Sequence, residues 1–499
     1  MFCKKILLLF GIIAGFVFAP IFFFPAIFSF SILARHISKS YLLKDAVLGG
    51  YIFGFGFFLS SLHWVSFSIF VYIEEFWWAF PFALIGLPAF LAIFCAIISS
   101  VAFYFRFSSF YQLFFSILWV LMEWIMSWAF TGFPWALLGY SFGVSDILLQ
   151  SANLLGAIGL SFIAIYIGTS LYDYKNFKIP IIISTIMICS MFAYGYDILD
   201  KFENTYSKIK IRIVQPSINQ SIKWDSEEFN SNLKKYVYLS KFRGSPDIII
   251  WPEAALIIGH KHPVIQKYIQ DIFVDKNKEQ FLITGSISEE IDSNNEYKIY
   301  SSMVGLNPES EEVFAYYKSH LVPFGEYIPF KKYIPFKKFT HGFVDYSSGF
   351  AQVLNLQPLN LKIYPLICYE SIFYNEISIN HEKVDVIFNI TNDAWFSGSF
   401  GPYQHLVISR LRAIENAIPI VRAANNGISA VIDPVGRVIT QLNLNEIDVI
   451  DSYLPQKKKN PTLYSIYGWN ILLILVLLVS FMQVIFCLIK KIRYYKGFS

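Results

Sequence analysis

Residues 362–370 read KIYPLICYE. Their apolar side chains run on without the alternation of a half-solvated strand. The segment therefore predicts a strand buried on both faces, as in a sheet covered by helices. The run stops at Cys368-Tyr369-Glu370, where polar groups return. Two other segments end in the same way: PDIIIW (246–251) leads into Pro252-Glu253, and Phe314-Ala315-Tyr316-Tyr317 leads into Lys318. In sheets of this kind, sites form at the carboxyl ends of strands. A glutamate, a lysine and a cysteine can therefore meet in one pocket.

Outward from this strand, β-rich runs recur at 209–215, 281–285, 384–390 and 428–433. Helical patterns fall at 226–241, 262–274, 370–380 and 403–417. The alternation predicts an α/β domain over 198–466, long enough for one large core. No internal repeat, low-complexity tract or Gly-rich phosphate loop is evident, and no His/Cys cluster has metal-ligand spacing. The sequence implies no cofactor and no metal.

The flanking regions have a different composition. Of 499 residues, 55% are hydrophobic and 15% charged, against roughly 25% charged in an ordinary soluble protein. The deficit lies mainly in residues 1–200. Apolar segments near 5–18, 20–34, 46–70, 77–104, 109–130, 156–172, 178–196 and 468–489 approach the ~20 residues that a membrane helix needs. They predict an α-helical membrane bundle of about eight spans. About seven lie in a membrane domain over 1–197, and the last lies with a short tail in 467–499. Pro20 splits the short first pair. The basic, apolar start resembles a signal peptide, but more spans follow at once, so it reads as a retained helix.

Lys4 and Lys5 precede the first span, and Arg35, Lys39, Lys44, Arg106, Lys175, Lys178, Lys490, Lys491 and Arg493 follow even-numbered crossings. The intervening loops carry Glu74, Glu75 and Asp146. The positive-inside rule then puts both termini in the cytoplasm and 198–466 across the membrane, in the periplasm of a bacterium with two membranes. A net charge of +4 is too small to point to nucleic acid. Glu123 stands inside an apolar helix, where a charge is either functional or a partner for an arginine or a loop amide. The loop Thr131-Gly132-Phe133-Pro134-Trp135, with Gly139-Tyr140-Ser141, is too apolar to be free. It is expected against the membrane surface or the outer domain.

Of five cysteines, Cys95, Cys189 and Cys487 lie in apolar runs and Cys3 is near the start. Only Cys368 belongs to the water-facing part. A thiol attacks as the thiolate, and the turn from strand into helix at Cys368 would favour that form. Glu253 can serve as general base and later return the proton. Lys318 can stabilise a tetrahedral oxyanion together with a backbone N–H near Cys368. Glu326 can orient Lys318 or the base. His320 and His405 are rival bases in a Cys–His pair, and sequence leaves that choice open.

These residues resemble a known family. Trp251-Pro252-Glu253, Lys318 with His320-Leu321-Val322-Pro323-Phe324-Gly325-Glu326-Tyr327, and Cys368-Tyr369-Glu370 resemble the Glu, Lys and Cys motifs of the nitrilase superfamily. Asn389 through Phe396 is similar to that superfamily's strand and turn after the cysteine. With the spans, the 131–141 loop, Gln215-Pro216, Lys223-Trp224, Gln404-His405 and Arg422 through Gly427, the chain resembles the membrane branch, the apolipoprotein N-acyltransferases. The resemblance implies an αββα sandwich on an eight-helix base. It also implies acyl transfer from a phospholipid donor to the N-terminal amine of a diacylglyceryl-cysteine lipoprotein, through a thioester on Cys368. Glu253 would be the base, Lys318 the oxyanion stabiliser, and Glu326, Tyr369 and Glu370 supporting residues. Trp224 and Trp135 would handle substrate. The segment 331–350, with Lys331, Lys332, Lys337 and Lys338, would be a lid whose lysines meet phospholipid head groups. Two other readings compete: a tethered hydrolase that resolves the thioester with water, and a transporter with an outer binding domain.

Overall fold

The computed structural model describes residues 2–468, 470 and 474, apart from 176–177, 226, 243, 274–277, 292–294, 333–337, 340–343, 378 and 397. The chain forms two compact units. Among the described residues, one comprises those of Met1–His63, of Ile85–Ile198 and from Thr462 onward; the other comprises those of Trp64–Leu84 and Leu199–Pro461.

Four described helices are long and apolar enough to cross a membrane: Leu43–Ala79, Phe82–Tyr104, Ala152–Thr169 and Ile179–Lys201. Tyr111–Met126 is a shorter apolar helix. The first two predicted spans form a broken hairpin. Helix Lys4–Ala14 ends before Pro20, and the chain turns through short 3-10 segments into Ser29–Ser38. The predicted span at 468–489 lies outside the described residues except for 468, 470 and 474.

The expected spans 46–70 and 77–104 need correction where they face each other. Continuous α-helix stops at Leu62, and His63–Tyr72, Ile73–Phe76 and Trp77–Ala79 are short, tight turns of helix. Residues Trp64–Leu84 pack with the second unit. Trp64 donates from Nε1 to Gln404 Oε1 at 3.1 Å and sets its ring against Phe396, and Phe76 meets Phe339 edge-on. Hydropathy marked these aromatics as apolar but could not distinguish lipid from protein as their solvent.

Glu123 is a partner for a loop amide. Its Oε1 accepts from Leu138 N and from Trp119 Nε1, both at 2.9 Å. Ser161 Oγ accepts from Gly139 N at 2.8 Å. A Cβ on Gly139 would lie 2.2 Å from the Ala157 carbonyl oxygen, so only glycine lets the loop reach the Ala152–Thr169 helix. The apolar loop is thus held inside the helical unit, where irregular backbone needs internal partners. Trp135 lies in this loop, buried, with its ring stacked on Phe133.

Among its described residues the second unit contains twelve strands. They are β1 (Tyr206–Gln215), β2 (Ile248–Ile250), β3 (Phe281–Ile291), β4 (Tyr297–Leu306), β5 (Glu312–Tyr317), β6 (Leu354–Leu356), β7 (Leu361–Ile367), β8 (Val386–Thr391), β9 (Ile420–Ala424), β10 (Ser429–Ile432), β11 (Val438–Leu442) and β12 (Asp448–Pro455). They form two six-stranded sheets, ordered β12-β1-β2-β3-β4-β5 and β11-β10-β9-β8-β7-β6. Both have a parallel centre, β1-β2-β3 and β7-β8-β9, with antiparallel neighbours outside. Ile213, Ile250 and Ile283 of one sheet pack with Ile363, Phe388 and Val421 of the other. Helices Phe229–Ser240 and Pro263–Ile272 cover the outer face of the first sheet through Leu233, Tyr236 and Ile269. Helix Gly401–Asn416 covers the second through Ala413. This is an αββα sandwich, and its central strands carry the continuous apolar runs that buried sheets require.

Candidate active site

The three strand-end residues come from both sheets. Trp251-Pro252-Glu253 follows β2. Its turn is set by Trp251 N donating to Ile283 O (2.8 Å) and Gly285 N donating to Pro252 O (3.2 Å). A Cβ on Gly285 would lie 2.4 Å from Ala254 N and 2.6 Å from Glu253 Cα, so the turn requires glycine in β3. Ala254 takes φ +49° to complete it. Lys318 follows β5, anchored by its N–H to Ser301 O (2.9 Å) and by Gly349 N to its carbonyl (2.8 Å).

Lys318 is buried, with Nζ 3.1 Å from Glu253 Oε1 and 2.9 Å from Glu326 Oε1. Glu326 accepts from Val322 N through its other oxygen, at 2.7 Å. Burial would lower the Lys318 pKa, but Glu253 and Glu326 outweigh it and hold the ammonium well above its ordinary range. Burial pushes Glu326 above the usual carboxylate range despite Lys318. Two of the three ammonium protons therefore serve carboxylates.

Cys368 follows β7 in the left-handed region, at φ +48°. That conformation costs a residue with a Cβ roughly 1–2 kcal/mol. Glu370 holds the turn: its Oε2 accepts from Ile367 N at 2.6 Å. Its Oε1 accepts from Tyr316 Oη (2.6 Å), Ser319 N (2.7 Å) and Ser319 Oγ (2.8 Å). One carboxylate thus joins the residue before the cysteine to the residue after the lysine. Among the described residues of 370–380 the expected helix does not form. Cys368–Ile372 is a single 3-10 turn, too short to supply a macrodipole. The surroundings do not favour the thiolate. Burial, and then Glu253, push it up, and Lys318 only partly opposes them. Attack therefore requires a base, and Glu253 is the carboxylate beside both Lys318 and Cys368.

The rival histidines have other partners. His320 Nδ1 lies 2.9 Å from Glu376 Oε2, with its ring on Phe373. His405 is fully buried. Its Nε2 faces Ser371 Oγ and the carbonyl of Cys368, and its Nδ1 faces Asp393. Tyr369 is buried, with its ring against Phe373. Trp224 is half-buried in the turn after β1.

One neighbour was missed as a functional candidate. Lys223 is buried, and its Nζ donates to the carbonyl of Glu253 at 3.0 Å. Burial lowers its pKa to about 8, with Glu253 and Cys368 pulling the other way. Its sequence signal was slight, a lysine beside a tryptophan in a polar turn. Asp393, at the end of β8, carried a clearer signal, since the strand-end rule applies to it as well.

The lysines expected to face head groups are partly engaged. Lys338 is buried with Nζ 2.6 Å from Val344 O, and Lys331 pairs with Asp345 at 2.9 Å. Lys332 is exposed. Lys337 lies outside the described residues.

Comparison with known proteins agrees with this architecture. Residues 10–170 match the family model described as apolipoprotein N-acyltransferase N-terminal domain, and residues 210–458 match that for carbon-nitrogen hydrolase. The chain is 46% identical to an apolipoprotein N-acyltransferase of Rickettsia prowazekii over 470 residues, 93% of this chain and 94% of the relative. It is 48% identical to one of Rickettsia bellii, covering 95% and 96%, and 33% identical to one of Rhizobium rhizogenes, covering 83% and 80%.

Proposed function

The chain belongs to the apolipoprotein N-acyltransferase family, and from that premise we propose that it moves an acyl chain from a phospholipid to the N-terminal amine of a diacylglyceryl-cysteine lipoprotein, through a thioester on Cys368. The observation that carries the mechanism is the buried contact of Glu253 and Glu326 with Lys318, beside a cysteine whose thiol burial and Glu253 push up.

Glu253 takes the Cys368 proton as Sγ attacks the ester carbonyl. The oxyanion that forms is met by the remaining proton of Lys318 and by a backbone N–H next to Cys368. Collapse breaks the carbonyl C–O bond, and Glu253 returns the proton to the departing lysophospholipid oxygen. The lipoprotein amine then attacks the thioester and loses a proton to Glu253. The C–S bond breaks, and the thiol recovers its proton from Glu253. Fixed donors at a developing oxyanion contribute ~10²–10³ in rate. Glu326 holds Lys318, Glu370 and Tyr369 shape the nucleophile turn, and Trp224 and Trp135 handle substrate.

Both substrates are held in a bilayer. The charge pattern supports eight spans, both termini in the cytoplasm and residues 198–466 on the periplasmic side of the inner membrane. Of the described lysines in 331–350, exposed Lys332 rather than buried Lys338 is available to head groups.

The test uses purified full-length protein and a phospholipid carrying a labelled acyl chain. Label is expected on the protein, released by hydroxylamine and absent in Cys368→Ala. A diacylated lipopeptide should then carry it away on its amine. Label persisting in Cys368→Ala would overturn the thioester, and release to water alone would favour a hydrolase.

A further inference from the structure

Behind the nucleophile turn lies a cluster of buried polar side chains that the acyl-transfer steps do not use. Ser371, Asp393, His405 and Arg422 are each no more than 1% exposed. Ser371 Oγ is 2.8 Å from His405 Nε2 and 3.1 Å from the carbonyl oxygen of Cys368. His405 Nε2 is itself 3.2 Å from that carbonyl. On the other side of the imidazole, Nδ1 is 3.0 Å from both Asp393 Oδ1 and Arg422 Nη2. Asp393 is fixed by Arg422 Nη2 at 2.7 Å on Oδ2 and by Thr391 Oγ1 at 3.1 Å on Oδ1. Ser409 Oγ donates back to the His405 carbonyl at 3.1 Å.

A buried arginine, aspartate and histidine are retained at considerable desolvation cost. Here Arg422 and Asp393 meet at Nδ1 of His405, and His405 and Ser371 meet a single backbone oxygen, the carbonyl of Cys368. The order Asp–His–Ser is that of a catalytic triad, but the serine is sealed from substrate and its oxygen meets the peptide of the cysteine. That peptide is planar, so its carbonyl oxygen and the N–H of Tyr369 point in opposite directions. Gripping the Cys368 carbonyl therefore sets the direction of the Tyr369 N–H, and with it the left-handed turn that presents Sγ.

We propose that Asp393, His405 and Ser371, anchored by Arg422, form a positioning relay that clamps the Cys368 carbonyl and so aims both Sγ and the adjacent backbone N–H at the acyl carbonyl. The inference rests on the thioester reading of Cys368. It is distinct from a Cys–His pair because the imidazole acts on the nucleophile's backbone. Geometry lost by about 1 Å at a reacting centre costs ~10²-fold in rate.

The test measures single-turnover acylation of the full-length protein by labelled phospholipid across lipid concentrations, with a thermal melt of each variant. His405→Ala is expected to acylate about 10²-fold more slowly with an unchanged half-saturating lipid concentration. His405→Gln places an amide where Nε2 lies and should recover much of the rate. His405→Asn places one where Nδ1 lies and should not. Ser371→Ala, a small change that keeps the fold, should slow acylation and transfer to the lipopeptide by the same factor. Equal recovery by Gln and Asn would assign His405 a merely structural role and overturn the relay, as would wild-type rates in Ser371→Ala. Failure of the wild-type protein to acylate at all would instead remove the thioester reading.

Discussion

At the scale of single residues, the site is governed by charges that burial alone would not permit. Lys318 is the counter-charge of two buried carboxylates. Removing one partner of such a group costs ~3–5 kcal/mol unless the remaining groups take up protons. Glu326 already lies above the usual carboxylate range because it is buried, and Lys318→Gln removes the cation that opposes this. A carboxyl whose native pKa exceeds its unfolded value binds its proton more readily when folded. Stability is then kept at low pH and lost as pH rises. Lys318→Gln is therefore expected to melt lower at about pH 8 than at about pH 5, and to lose ~10²–10³ in acylation rate. Melts at both pH values, with single-turnover rates, check this; a melt that does not change with pH would count against the coupling.

Lys223 follows the opposite sign. Its native pKa of about 8 lies below its ordinary 10.5. The unfolded chain therefore binds more protons in that interval, and stability gains with pH across it. Function moves the other way, because the charge facing Glu253 and Cys368 disappears above about 8. We expect wild-type acylation to decline through that range and Lys223→Met to be slow at every pH without this decline. A pH–rate profile of both proteins decides the matter. An unchanged alkaline decline in Lys223→Met would assign that limb to another group.

At the scale of elements, strand ends align the residues, and close packing fixes each strand end. Gly285 in β3 lets the Glu253 turn lie against it. Backbone atoms 2.4–2.6 Å from a Cβ added at that position cannot be relieved by a rotamer. Gly285→Ala should displace Glu253 and lower acylation by ~10²-fold with both sheets retained by circular dichroism. An unimpaired rate would show that Glu253 does not depend on this approach. The same packing explains what the sequence could reveal. Strands β2 and β8 are buried along their whole lengths and β7 everywhere but at Lys362, and each carries an apolar run. The edge-side strands β11 and β12 are half-exposed, with mixed composition, and were not anticipated. Strand β9 escaped for another reason: Arg422 interrupts it and reads as a surface residue, yet it is buried against Asp393. The helix expected over 370–380 failed because Glu370 captures the amides of Ile367, Ser319 and His320, leaving one tight turn. The glutamate, lysine and cysteine were legible as chemistry from their strand ends. Lys223 and the Asp393–His405–Ser371 cluster were not, since their significance lies in burial and in backbone atoms they touch.

At the scale of the whole molecule, hydropathy separates two solvents and charge sets the direction of the chain. Four described helices have the length and composition of membrane spans, yet Trp64–Leu84, which covers the end of one and the start of the next, packs with the second unit. Orientation therefore depends on the basic loops rather than on counting apolar stretches. If those loops are cytoplasmic, then the loop at Lys175 and the helix Phe229–Ser240 face opposite compartments. Both Lys175 and Tyr238 are exposed, so each can be replaced by cysteine. The background would replace Cys3, Cys189, Cys368 and Cys487 and keep buried Cys95. A membrane-impermeant maleimide, applied to cells with a permeabilised outer membrane and an intact inner one, should label Tyr238→Cys at once. Lys175→Cys should remain protected until the inner membrane is opened. The reverse pattern would place the acyl-transfer site in the cytoplasm and remove the link between basic loops and the side on which the thioester forms.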